Sequence, residues 1–421
     1  MLRKNNGEAM NDEISAARRK KRRRYNLKRL ARFLAVVLML CIAITAANSV
    51  TSTTAKDIGD FFGGIFASSS GWPVELGESS VIQTEKLTGA FAVVTDGELI
   101  VTSRRGARLL ELKHGMVSPF IAASGKRIAL CNRGSRDITV CNRTSELAEI
   151  QTDGVIIDAA MSENGQLAVL CGSERYTCEM GVYSNGLYER RMNWKCASGF
   201  PLLVRISSRG SRAAAVTVSL SLGQLESTVT VINTKDCTEQ SITTIEGLIC
   251  ELYVEDDGGF VAVTEEEICR CSAAGEQTAR YSFAGKPLLN ISRKGTRLAV
   301  AFGDNSRSAI NSVVVLNRSL AEICTISGCG EIKDMCFSSD RLYLLGSGRL
   351  SVYNTAGKNI KVYIADTKAQ SIVDFSSIIE ILPDSAQLVT EQLEQQEQQK
   401  NDDAQQDDGQ QNEPNSQEAA N

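Results

Sequence analysis

The feature that most restricts this chain is a short motif that returns about every forty residues. Its centre is a turn followed by an apolar strand: SGKRIALC (124–131), ENGQLAVL (163–170), SRGSRAAAV (208–216), DGGFVAV (257–263), RKGTRLAVAF (293–302) and SSDRLYLL (338–345). The turns fall at Gly125, Gly165, Gly210, Gly258, Gly295 and Asp340, between 37 and 48 residues apart. A third strand recurs after them as DITVCNR (137–143), EMGVYSN (179–185), TVTVINT (228–234), SVVVLNR (312–318) and LSVYNTA (350–356), and an earlier copy reads AFAVVTDGELIVTSR (90–104). Four short strands at this period make a propeller blade, an antiparallel sheet packed on its neighbours around an axis. A blade cannot bury both faces alone, so closure of the ring supplies the core. Counting a copy at 79–114 gives seven units over residues 79–383, with the apolar run 372–382 read as the strand that closes the ring. The expectation is an all-β, seven-bladed β-propeller; six or eight blades, or an open β-sandwich array, are the alternatives.

Charge is distributed unevenly. Residues 1–32 hold 12 of the 46 Lys/Arg but only 3 of the 50 Asp/Glu. The basic residues Arg18, Arg19, Lys20, Lys21, Arg22, Arg23, Arg24, Lys28, Arg29 and Arg32 stop where an uncharged stretch begins at 33–50, FLAVVLMLCIAITAANSV. Eighteen residues at about 1.5 Å each cover roughly 27 Å, the hydrocarbon core of a bilayer. Lys and Arg on one flank hold that flank in the cytoplasm. The expectation is a basic cytoplasmic tail (1–32) in contact with anionic lipid and a transmembrane signal anchor (33–50), so that the protein is single-pass, type II and otherwise extracytoplasmic. A cleaved signal peptide is the alternative, since Thr45, Ala46 and Ala47 are small; the long basic region favours the uncleaved anchor. Residues 51–78 read as a juxtamembrane linker. Within it Ile58, Phe61, Phe62, Ile65 and Phe66 share one helical face, which suits either the outer headgroup layer or packing on the next domain. From Asp384 the chain holds 11 Gln and 10 acids, the composition of a disordered tail (384–421), with a short helix possible at 386–400.

The blade turns lack the marks of better-known propellers. Neither Trp72 nor Trp194 follows an Asp-x-Gly turn, and no Trp-Asp dipeptide occurs. The repeat is similar to the looser Ser-x-(Asp/Asn)-Gly-x-x-Leu-Ala-Val type. Together with the basic tail, the anchor, the opening Gly71-Trp72-Pro73-Val74-Glu75-Leu76 and Ser118-Pro119, it resembles an uncharacterised family of membrane-anchored, WD40-like propeller proteins from Gram-positive bacteria. That resemblance implies a location and a fold, and it supplies no catalytic residues.

Candidates for chemistry are few. A single His, His114, leaves little for zinc hydrolases or His-based acid–base schemes, and it reads as a loop residue. Of 13 Cys, Cys41 falls in the anchor and twelve follow it, with no Cys-x-x-Cys among them. Cys171 and Cys178 flank GSERYT and are expected to face one another as a disulfide, with Cys324 and Cys329 next; the alternative is that these thiols are small core residues. The acidic stretches Asp256-Asp257-Gly258-Gly259 and Thr264-Glu265-Glu266-Glu267 lack EF-hand spacing and read as solvated turns. No catalytic, cofactor or metal site is expected. The function that fits is a binding or scaffold module for an envelope protein or polymer, more readily than an enzyme. A glycan hydrolase or lyase with Asp/Glu at the central channel is the alternative, and no nucleic-acid partner is expected.

Overall fold

The computed structural model describes residues 52–67, 71–77, 80–303, 311–338, 340–375 and 377–389. The basic residues from Arg18 to Arg32, the stretch 33–50 expected to be an anchor and the tail beyond Val389 lie outside them. Among the described residues no helix is long and apolar enough to cross a membrane.

Eight four-stranded antiparallel sheets follow one another along the chain. Blades 1 to 7 occupy residues 81–113, 119–151, 156–196, 200–246, 249–282, 288–327 and 334–364. Each is a simple meander whose strands are lettered here A to D. The A strands of successive blades adjoin one another, so A lines the central channel and D lies outermost. All A–B and C–D turns therefore share one face of the ring, the A–B face. All B–C turns and D-to-A links share the other, the B–C face.

The ring has eight blades, not the expected seven. The apolar run 372–382 is not one closing strand but a hairpin, Ser371–Asp374 paired with Ile378–Ile381. Ser385–Leu388 adds a third strand, and Val74–Glu75, from the other end of the chain, adds the fourth through Val74↔Ala386 and Glu75↔Ser385. Ring closure thus uses residues on both sides of 79–383. It makes the first part of the Gln-rich tail a strand where a short helix was expected. A two-residue strand borrowed from 300 residues away leaves no local period to detect.

The core lies between blades. In blade 2, Ala129 and Cys131 pack toward blade 3, while Ile128 and Leu130 of the same strand pack toward blade 1. Both sheet faces are covered, so the B strands read as nearly continuous apolar runs, such as Ala90–Thr95, which is buried throughout. The D strands face solvent and alternate, as in Arg108–Lys113. The recurring turn glycine has a steric cause. Gly125 has φ +58°, and a Cβ there would lie 2.7 Å from the carbonyl oxygen of Glu163 in blade 3.

Side chains of the A strands latch blade to blade. Gln83 exchanges two hydrogen bonds with the backbone of Ile121. Asp158 accepts from Val204 N, Ser292 from Phe337 N, and Asp334 from Ile372 N, at 2.9–3.0 Å. Each satisfies an amide that its own sheet leaves unpaired at the channel wall.

Candidate functional site

Among the described residues one helix occurs, Ser52–Phe66, inside the expected linker; its residues 56–66 lie on the A–B face and dock by their acidic side rather than their aromatic one. Asp57 receives both terminal nitrogens of Arg127 at 2.6 and 2.7 Å. Asp60 receives Arg143 Nη2 at 2.7 Å and Nε at 3.1 Å, while Arg143 Nη1 donates to the Thr88 carbonyl at 2.8 Å. Lys56 Nζ caps the Glu146 carbonyl, and Asn142 donates to the Lys56 carbonyl. Gly63 and Gly64 permit this approach, since a Cβ on either would lie 3.1–3.2 Å from Thr144 or Arg143. Meanwhile Ile58 and Phe61 remain half-exposed, at 45% and 55%. Of the two placements left open for the apolar stripe, packing on the domain does not describe Ile58 and Phe61.

The B–C face differs in character. Val117, Val155, Phe200 and Leu289 stand exposed at its D-to-A links and strand starts. In blade 4 the hairpin Arg212–Ser221 and Gln224–Asn233 has ten-residue strands, against four to six in the B and C strands of the other seven blades, and carries Leu220, Leu222 and Leu225 exposed at its tip. About four extra residues per strand project it roughly 13 Å.

Between blades 2 and 3 a groove of about 450 Å³ opens toward this face. Gly154, Gly172 and Gly181 create the space by contributing no side chains. Arg190 crosses it to pair with Asp153. Glu179 accepts from Ser173 at 2.7 Å and from Asn193 at 3.0 Å, and these bonds hold its carboxyl below the ordinary range. Cys171 lines the floor, and burial pushes its thiol up to about 11, far from a nucleophilic thiolate.

Of the channel carboxylates, Glu85 accepts from Gln83 Nε2 at 3.0 Å, and Asp158, Glu251 and Asp334 are held by neighbouring blades. Arg205 bridges Asp158 at 2.9 Å and Glu251 at 2.8 Å, and Asp334 also accepts from Met335 N and Asn290. Asp256 accepts from Arg209 N and Asp257 from Gly259 N. Among the described residues no group of three or more His, Cys, Asp or Glu is placed to hold a metal ion. His114 lies on the link leaving blade 1, where Met116 N donates to its Nδ1 and burial lowers its pKa.

The expected Cys171–Cys178 disulfide is absent. The hairpin is centred on Arg175, which sets Cys171 opposite Glu179 and Cys178 opposite Gly172. The two thiols therefore point to opposite faces of blade 3, into different cores. Every described cysteine is free, Cys324 and Cys329 included. The docked pairs Asp57–Arg127 and Asp60–Arg143 escaped the sequence reading. Their one trace was two acids three apart on a helix whose opposite side is apolar.

Residues 69–389 match the Family of unknown function (DUF5711). The chain belongs to that family. The DUF5711 match covers the whole propeller, including the Val74–Glu75 strand and the last strand of blade 8. No curated protein matches it in sequence. Among solved structures, Saccharomyces cerevisiae Sqt1 superposes with a TM-score of 0.57 over 76% of this chain and 99% of its own, at 10% identity. Kuenenia stuttgartiensis hydrazine synthase (TM-score 0.45, 15% identity, 64% of this chain and 93% of that one) and Kluyveromyces lactis Hsv2 (0.47, 10%, 68% and 98%) are more distant in shape. Likeness at such identity concerns the propeller fold alone.

Proposed function

We propose that this DUF5711 protein is a membrane-anchored, extracytoplasmic binding or scaffold module whose B–C face receives an envelope protein or polymer. The observation that carries the reading is the division of labour between the two faces. The helix at 56–66, the strand entering at Val74 and the last strand leaving at Leu388 all meet the A–B face. With 33–50 as the anchor and 1–32 held in the cytoplasm by its charge, that face turns toward the bilayer. The half-exposed Ile58 and Phe61 then meet the headgroup layer. The B–C face, with its projecting Leu222 hairpin, exposed Phe200 and the blade 2–3 groove, is left free for a partner.

Photo-crosslinking in intact cells tests this. A photoreactive residue at Leu222 is expected to capture a specific adduct, while one at Lys235 in a C–D turn is not. Adducts from Lys235 alone would contradict the assignment of the binding face.

A further inference from the structure

On the A–B face, across the ring from the helix, three arginines converge on one carboxylate. Glu255, in the A–B turn of blade 5, receives Arg270 at 2.6 Å, and Arg293 and Arg318 at 3.5 Å each. Arg297, in the next blade, lines the same cleft and has no ion-pair partner among the described residues. The cleft holds about 530 Å³ between Arg270, Arg297 and Arg318, with Thr278, Thr296 and Asn317. One carboxylate cannot neutralise the three guanidinium groups that share it, and Arg297 adds another charge to the cleft. Of the acids in the same A–B turn, Asp256 is engaged by Arg209 and Asp257 by Gly259 N.

The arginines are graded by depth. The Arg270 and Arg293 side chains are 13% and 21% exposed, while Arg318 is 65% exposed at the rim. Glu255 thus holds Arg270 in the wall of the cleft and reaches Arg318 at its rim. The Asn317 carboxamide oxygen accepts from Ser319 N, the Ser319 hydroxyl and Ala321 N, so it shapes the turn that carries Arg318. At the A–B ends of blades 6 and 7, Lys294, Arg341 and Lys358 outnumber the acids Glu322 and Asp340. A planar fork of donors in a positive field matches a phosphate group, which accepts two parallel N–H bonds from each guanidinium.

We propose that this cleft binds the phosphate of an anionic lipid headgroup. It would be a second membrane contact, at blades 5 and 6, opposite the helix that docks on blades 1 and 2. The choice of a lipid as the source rests on the orientation proposed above; the anion chemistry does not.

Hydrogen exchange on the full-length protein tests both parts. In maltoside micelles, inorganic phosphate at ten times its Kd is expected to slow exchange in the turns at 294–297 and 317–320 roughly tenfold. The Arg297→Gln/Arg318→Gln variant should lose that protection while exchange in the helix at 56–66 stays unchanged. In vesicles, the same turns should be protected when phosphatidylglycerol is added to phosphatidylcholine and not in phosphatidylcholine alone. No protection by phosphate would overturn the site. Protection by phosphate but not by phosphatidylglycerol overturns the lipid as its source, as does equal protection by phosphatidylglycerol in the double variant. A helix unprotected in either kind of vesicle, with phosphate protection intact in micelles, instead overturns the orientation and the lipid assignment together and leaves an anion site.

Discussion

The Asp60 carboxylate lies beneath the Arg143 guanidinium, held by Nε and Nη2, with both side chains almost fully withdrawn from solvent. This pair joins the helix to a C–D turn of blade 2, ahead of the chain's entry into blade 8 at Val74. It holds the helix so that Ile58 and Phe61 face away from the ring.

Removing either partner leaves a buried charge unpaired, a cost of about 3–5 kcal/mol. The helix is expected to detach rather than bear it. In Asp60→Ala, exchange of amides 56–66 should approach that of an unstructured peptide while blades 4 to 7 keep their protection. Unchanged protection of the helix would contradict the role given to this pair.

Closure of blade 8 predicts where the chain can be cut. Val74, Leu76, Ala386 and Val389 are buried, and each large side chain contributes about 1.5–3 kcal/mol by burial. A chain ending at 383 should therefore lose its cooperative thermal transition, whereas one ending at 390 should melt like the full-length protein. Equal melting of the two would show that the third strand of blade 8 does not hold the ring.

Glu85 lines the channel, where burial raises its carboxyl pKa; the bond from Gln83 and the charge of Arg205 act against that, and Glu251 adds to it. A raised folded pKa means that the group's full stability is present below its unfolded value, about 4.3. That stability is lost as pH rises through the folded value. Glu85→Gln should accordingly be more stable than wild type at pH 7, with the difference vanishing below about pH 4. Chemical denaturation across this range checks it, and a gap that widens toward acid would refute the sign.

The cysteines should react in order of exposure. Cys250 is exposed, while Cys131, Cys141 and Cys269 are buried; burial raises the thiols of Cys141 and Cys269 to about 12. Alkylation of the folded protein followed by peptide mass spectrometry should find Cys250 modified first and those three only after unfolding. No peptide linking Cys171 to Cys178 should appear.

The propeller was legible because its blades repeat the same turn chemistry and the same apolar B strand, as at Gly125 and Ala129. The eighth blade was not, because its outer strand is Val74–Glu75, borrowed from the far end of the chain. Cys171 and Cys178 show a finer limit: spacing alone placed them together, and a one-residue difference in register turns their side chains to opposite faces. The Arg270–Glu255 cleft could not be read at all, since the repeat spreads its arginines over blades 5 and 6. The Asp57 and Asp60 contacts likewise depend on turns 70 to 83 residues away.

The central claim is that the propeller stands outside the membrane with its B–C face free. Cys250 provides a direct probe, because it is exposed at the start of the A strand of blade 5, on that face. Intact cells expressing the full-length protein are treated with a membrane-impermeant maleimide, with Cys250→Ser as the control. The account predicts labelling of the wild type before lysis and its loss in the variant. Labelling at Cys250 only after lysis would contradict it.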